Sequence, residues 1–294
     1  MAEVRSPSPK VTSIIVVRNG EAFLREAIDS IVCQSLTDWE LLVVDDGSTD
    51  GTAQIVRGFE RDLSGRVRLL THPHGENHGI SASRNLGLSQ ARGIYIGFLD
   101  ADDVWEQEKL AEQVAIMDAD PTLGMVYGRT LIWHSWIETG LQKDFYYSLG
   151  VKPDARYDPP VLFELLLENE VQTPTTCNAL MRASLFDSLG GFEDRFRLMF
   201  EDQTFFAKAL AFAPAYVSNQ TWAKYRQHSE SCSVNFASAG ANEAARLNFL
   251  RWLNTSMARR APSLRVRFAI WRALAKAAYA AIKCRVRLSV RIQR

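Results

Sequence analysis

The chain has 294 residues, 47% of them hydrophobic and 23% charged, which suits one large globular domain or two average ones and excludes a disordered, collagen-like or disulfide-scaffold protein. Its four cysteines, Cys33, Cys177, Cys232 and Cys284, are far apart and form no CxxC pair, so zinc-ribbon and thioredoxin chemistry lack support and a reduced, cytoplasmic setting is expected. Net charge is zero, yet residues 1–243 carry 21 basic against 34 acidic groups, a balance of −13, while the stretch after Glu243 carries 13 basic groups and no acid.

No apolar run approaches the ~18 residues that span a bilayer. No charged-then-apolar leader precedes Lys10, so neither a secretory signal nor a membrane anchor is expected. After a Ser/Pro-rich leader over 1–10, Val11–Val17 (VTSIIVV) reads as a buried strand. Phe23, Leu24, Ala27, Ile28 and Ile31 then recur at helical spacing, and Leu41–Val44 reads as a second buried strand running into Asp45-Asp46-Gly47-Ser48. The order repeats with a helix from Thr52, a strand at Val67–Leu70, a helix at Ser81–Gln90 and a strand at Ile94–Leu99 that enters Asp100-Ala101-Asp102-Asp103. Alternating strands and helices predict an α/β fold, a Rossmann-like, mostly parallel sheet covered by helices.

In such open sheets ligands bind at the carboxyl ends of strands, where both acidic clusters stand. Asp45-Asp46-Gly47-Ser48 also suits a plain turn with a helix cap. Asp100-Ala101-Asp102-Asp103 is harder to read that way, because three carboxylates in four residues repel one another unless a cation or donors neutralise them. A loosely held Mg²⁺ or Mn²⁺ usually shares its ligands with phosphate oxygens, so a diphosphate-bearing substrate is expected. No GxxxxGK[ST], GxGxxG after the first strand, HExxH or GxSxG competes for the role.

The succession VTSIIVVRNGEAFLREAIDSI, DWELLVVDDGSTDGT, GISASRNLGL, ARGIYIGFLDADDVW, GGFEDRF, FEDQTFF and YRQHSESCS strongly resembles the family 2 glycosyltransferases, inverting enzymes of the GT-A fold that use nucleotide-sugar donors. The resemblance covers Val11 to Ser233. It implies that Asp46 receives the nucleotide base, with Asn19 in the same pocket, and that Arg84 sits near the base or the diphosphate. An arginine there would supply charge and a bidentate fork. It also implies that Asp100 contacts the ribose, that Asp102 and the late His228 hold a divalent cation, Mn²⁺ or Mg²⁺, and that Asp202 of Glu201-Asp202 is the general base, with Glu201 on the substrate. Read without the family, Glu201-Asp202 equally suits acids at a helix start, favoured by the macrodipole.

Asp103 is left out of the metal pair, since it suits a cap of the following helix. Family members commonly have Pro-Thr-Tyr before the Asn, whereas Val16-Val17-Arg18 stand here, and a guanidinium can take over the stacking on a base. His72, His74 and His78 fall in a Pro/Gly-bearing loop and read as solvated. Residues 11–118 would form the donor half and 119–240 the acceptor half, with a UDP-sugar the first donor to test and a glycan or lipid-linked hydroxyl as acceptor. Gln142–Pro160, rich in aromatics, is read as an acceptor loop.

Residues 241–294 read as a basic helical extension. From Pro262-Ser263 on, Leu264, Phe268, Trp271, Ala275, Ile282 and Val286 fall on one helical stripe, with Arg265, Arg272, Lys276, Lys283 and Arg287 beside it. Two outcomes stay open: residues 263–294 lie on an anionic membrane surface, on the inner face of the plasma membrane, or the stripe packs on the body and its cations answer the −13. No nucleic-acid partner is expected, although a basic aromatic tail keeps such binding as an alternative, beside a non-catalytic nucleotide-sugar binder. A sugar-1-phosphate nucleotidyltransferase would want a glycine-rich basic loop where Arg18-Asn19-Gly20-Glu21 stands.

Overall fold

The computed structural model describes residues 8–137, 142–197, 199–228 and 239–292, with 239–242 and 282–292 described as backbone only. The first half alternates as its hydrophobic pattern predicts: β1 (Val11–Val17), α1 (Leu24–Val32), β2 (Trp39–Asp45), α2 (Thr52–Asp62), β3 (Val67–Thr71), α3 (Ile80–Gln90) and β4 (Tyr95–Asp100). β1 and β2 are buried almost residue for residue, because helices cover both faces of the parallel sheet and an alternating pattern would place polar groups in the core. The second half adds β5 (Val104–Trp105), α4 (Lys109–Ala119), β6 (Met125–Trp133), β7 (Ala155–Tyr157), α5 (Val161–Glu168), β8 (Ala179–Arg182), α6 (Ala183–Leu189), α7 (Gln203–Phe212) and β9 (Ala215–Arg226).

The strands form one sheet in the order β3-β2-β1-β4-β8-β6-β9-β5, with β7 also on β9. β1 pairs in parallel with both β2 and β4, and β2 with β3. The expected mostly parallel sheet therefore holds for the donor half. Beyond β4 the pairing is mixed, since β8 runs antiparallel between β4 and β6, and β5 and β7 run antiparallel to β9. β1 and β4 end side by side, with Val16 opposite Asp100, and β2 ends beside β1, with Val17 opposite Asp45. Both acidic clusters thus meet at one edge, the carboxyl ends of the central parallel strands.

Two helices complete the chain, α8 (Ala239–Ala258) and α9 (Leu264–Ile292). Phe249, Leu250, Trp252, Leu253 and Met257 of α8 and Val266, Ala269, Ile270, Ala273 and Ala277 of α9 join the core that contains Phe98 and Phe205. Side chains on α9 spaced three or four residues apart share a face, so this packed face lies opposite the stripe carrying Leu264, Phe268 and Trp271, which are 82%, 60% and 65% exposed. The expectation that the stripe itself packs on the body is thereby corrected: a different face of the helix is covered, while the cations beside it do answer acids of the body. The cations Arg265, Arg272 and Lys276 pair with Glu164, Glu168 and Glu170 at 2.9, 3.0 and 3.1 Å, while the aromatic stripe faces outward. Ile282, Lys283, Val286 and Arg287 lie outside the described side chains. Among the described residues no helix is long and apolar enough to cross a membrane.

Candidate active site

Asn19 stands just past β1 at φ 53°, a backbone state that Asn tolerates better than most residues. Its Oδ1 accepts from the Thr49 backbone N–H at 2.8 Å, and its own N–H donates to Ser48 Oγ at 2.8 Å. The end of β1 is thereby tied to the Asp45–Ser48 turn. Asp46, at 4% exposure, already has several donors: Asn77 Nδ2 and the backbone N–H of His78, each at 2.7 Å, and the N–H of Gly79 at 3.0 Å. Gly79, at φ 91°, is the residue before α3, so Asp46 draws the 72–79 loop and the positive end of that helix onto the β2 terminus.

The loop histidines require a correction. His72 is only 8% exposed; it bonds Ser83 Oγ at 2.9 Å and stacks on His78 with centroids 4.3 Å apart. Burial and the neighbouring His78 hold its pKa below the usual histidine value, so a neutral ring packs beside Asp46. His74 remains exposed.

One turn along α3, Arg84 is buried at 3%. Its Nη2 donates to Asp100 Oδ1 at 3.2 Å, its guanidinium lies 5.3 Å from the centre of the Phe192 ring, and its Nη1 has no hydrogen-bond partner among the described residues. A buried guanidinium with a free N–H suits an anionic ligand. Thr176 Oγ1 donates to the other oxygen of Asp100 at 3.1 Å. Asp102 Oδ2 meets His228 Nε2 at 3.0 Å, and burial, then the charge of Asp100, push the Asp102 carboxyl above its ordinary range.

Asp103 does not cap α4, whose first turn follows Glu108. It is fully buried and accepts from the Arg226 backbone N–H at 3.0 Å. Burial, then the charges of Asp102 and Asp100, push its carboxyl well above the ordinary carboxylate range. Arg226 was not singled out in the sequence, yet it organises this corner. Its Nε donates to the Asp102 carbonyl at 2.7 Å, its Nη2 pairs with Glu26 at 2.5 Å, and its guanidinium lies 4.9 to 4.5 Å from the Phe23 and Trp133 rings. The only signal was an Arg two residues before His228. Aromatic packing from β6 and the α1 entrance, which makes this Arg an anchor, is not visible along the chain.

Asp202 caps α7 through a 2.7 Å bond from the Gln203 N–H, so the helix-start reading of Glu201-Asp202 also holds. Its carboxyl is pushed up to about 7, by burial first and then by Glu201, with the Arg84 charge partly opposing the rise. The preceding Phe200 adopts φ 63° and stacks on Phe249 of α8, centroids 5.0 Å apart. The helical extension therefore clamps the turn that presents Asp202. The Gly190–Arg197 loop is bolted to α3 through Asn85, which accepts from Phe192 N–H at 2.9 Å and donates to Asp194 at 3.1 Å. Arg84 pairs with Asp100, and both lie near enough for their charges to act on Asp202.

A cation would find two ligands ready, Asp102 and His228; among the described residues no group of three or more His, Cys, Asp or Glu side chains gathers around one point. Two protein donors fit a hard cation that takes its remaining ligands from diphosphate oxygens. In the Gln142–Pro160 segment, Phe145, Tyr146 and Tyr147 are 40%, 46% and 53% exposed, whereas Leu149 is buried.

The fold is the GT-A fold, and the comparisons agree. The model of glycosyl transferase family 2 matches residues 12–190, and the chain belongs to that family. It is 36% identical over 109 residues to a putative teichuronic acid biosynthesis glycosyltransferase, TuaG, of Bacillus subtilis, covering 37% of this chain and 42% of TuaG. An uncharacterized glycosyltransferase of Rickettsia typhi is 29% identical over 223 residues, 75% of this chain and 65% of its own. The chain spans 17% of the length of GlyA from Streptococcus pneumoniae and 39% of EpsE from B. subtilis. Among solved structures, S. aureus TarS 1–349 in complex with UDP-GlcNAc superposes with a TM-score of 0.70 at 21% identity, over 92% of this chain and 71% of that one. The mannosyltransferase PcManGT from Pyrobaculum calidifontis, in complex with GDP-Man and Mn²⁺, gives 0.57 at 21% identity, over 94% and 74%. Both share the fold.

Proposed function

We propose that the chain transfers a sugar from a nucleoside-diphosphate donor, a UDP-sugar first, to a hydroxyl of a glycan or lipid-linked acceptor with inversion at the anomeric carbon. The observation that carries the reading is the Asp202 carboxyl, raised to about 7 and set behind Arg84 and Asp100. A base with that pKa takes a hydroxyl proton efficiently near neutral pH. Arg84 Nη1, buried and without a hydrogen-bond partner among the described residues, offers its N–H to a donor oxygen, and electrostatic help of this kind counts most where water is excluded. Asp100 and Asn19 hold the ribose and base side, and Asp46 keeps the 72–79 loop closed against it. Glu201, beside Asp202, would contact the substrate.

Asp102 and His228 would hold a divalent cation, which supplies positive charge against the leaving diphosphate. The Mn²⁺ in the mannosyltransferase complex supports that assignment, and UDP-GlcNAc bound to TarS supports the donor class. The outward face of α9, aromatic and rich in unpaired apolar area, supports a peripheral seat on an anionic membrane, on the cytoplasmic face, with synthesis of a surface polysaccharide or glycolipid as the setting.

Calorimetric titration with UDP-, GDP- and dTDP-sugars, with and without Mn²⁺, followed by assay of released nucleoside diphosphate, tests the reading. Metal-dependent binding of one donor with slow release of its diphosphate is expected. If no donor binds in the presence of manganese and vesicles, the chain is not a transferase.

A further inference from the structure

Away from the donor edge, a cavity of about 690 Å³ opens between the Gly190–Arg197 loop and α8, a volume within the range of small-molecule sites. Arg195 lines it from the loop, Arg251 from α8, and Arg259 from the turn that follows α8. All three are exposed, and among the described residues none has a carboxylate partner; Arg195 lies over the Phe196 ring. The acid in the lining, Glu193, is taken by Lys208 at 3.4 Å. A fourth arginine, Arg260, gives its N–H groups to the Ser188 and Leu189 carbonyls at 3.2 and 2.6 Å and keeps its charge in the cavity.

This pattern differs from the rest of the extension. On α9 the cations beside the body are matched one for one by Glu164, Glu168 and Glu170. Here four arginines share one concavity with a single acid, Glu193, which is already engaged by Lys208, an arrangement that an oxyanion relieves and that guanidinium forks bind bidentately. Asn248, Thr255 and Ser256 line the same cavity and add neutral donors and acceptors of the kind that sugar hydroxyls use. The loop carrying Arg195 has its other side on α3, through Asn85, and its Phe192 against Arg84. Seven residues past Arg195 stands Asp202. The cavity and the donor pocket are thus two sides of one loop.

We propose that this cavity binds phosphate groups of the acceptor, held by Arg195, Arg251 and Arg259, so that a phosphate-bearing acceptor is anchored beside the base. The proposal rests on the transferase reading given above. Its test uses the full chain saturated with UDP, so that the donor site is filled, and titrates inorganic tripolyphosphate by calorimetry. One equivalent is expected to bind, and R251S/R259S is expected to weaken it at least about tenfold, the usual worth of a charge-assisted contact. Both positions are exposed, so the variant should melt with the wild type, and R195Q offers an independent check from the loop. Absence of binding to the UDP-saturated wild type, or equal affinity in the variants, overturns the proposal.

Co-sedimentation with phosphatidylcholine vesicles containing phosphatidic acid separates the two sources of phosphate. With W271E as the background, so that the outward face of α9 does not hold the chain on the vesicle, loss of sedimentation on adding R251S/R259S assigns the site to a lipid phosphate, and unchanged sedimentation assigns it to a phosphate carried on soluble glycan. Donor titration of the wild-type chain is a separate measurement, so failure of the transferase reading is told apart from failure of the anion site.

Discussion

Substituting Asp202 by Asn is expected to move activity and stability in opposite directions. A carboxyl that titrates at 3.8 in the unfolded chain and at about 7 in the fold binds its proton more tightly when folded. Below pH ~4 both states are protonated and the group costs nothing. As pH rises from about 4 to 7 the unfolded state releases the proton first, so stability falls; above 7 the penalty is complete. Its size is about 2–4 kcal/mol, the lower figure allowing for the charge shared with Glu201. Asn cannot ionise, and its Oδ1 still accepts the Gln203 N–H, so the cap survives. The variant should therefore match the wild type near pH 4 and melt roughly 5–10 °C higher at pH 8. Turnover, in contrast, should drop about 10²–10⁴-fold, and the rise of kcat/KM with pH toward 7 should disappear. Thermal melts from pH 4 to 8 and a pH–rate profile of nucleoside diphosphate release check both. Unchanged turnover would remove Asp202 as the base, and a melting gain that does not grow with pH would refute the burial argument.

Asp102→Ala should abolish the manganese dependence of donor binding in a calorimetric titration; unchanged dependence would take Asp102 out of the metal site. Arg84→Gln removes the charge that opposes the rise in Asp202, so the acid limb of the pH–rate profile should shift to higher pH, whereas a shift downward would contradict the geometry. Phe249→Ala takes the stacking partner from Phe200 and should cost about 3–5 kcal/mol in a denaturant melt, with kcat falling more than KM rises and Phe249→Leu restoring part of both. Trp271→Glu, at a position 65% exposed, should leave folding stability within about 0.5 kcal/mol while reducing co-sedimentation with anionic vesicles; equal sedimentation would take the outward face of α9 off the membrane.

The donor half was legible because its signals are local. Parallel strands buried on both faces must be continuous apolar runs, and Val11–Val17, Leu41–Val44 and Ile94–Leu99 are such runs, each ending where polar residues crowd together. The acceptor half was not, since β7 and β8 are three and four residues long and take their partners from distant strands. Arg226 and Thr176 were missed for the same reason: each acquires its role from residues on other elements, at the ends of β4 and β6 and the start of α1.

The alternation of strands and helices in the first half, the acidic turns and the amphipathic extension follow from residue type and period alone, because hydrophobic periodicity and turn chemistry act over a few residues. Protonation and orientation do not. The raised pKa of Asp202, the neutral buried His72 and the orphaned N–H of Arg84 each depend on what surrounds a side chain in three dimensions. The period of α9 shows two apolar faces but not which one is covered; α8 and the acids of α5 decide that by packing on Val266, Ile270 and Ala273 and pairing with the adjoining cations, which leaves Phe268 and Trp271 outside.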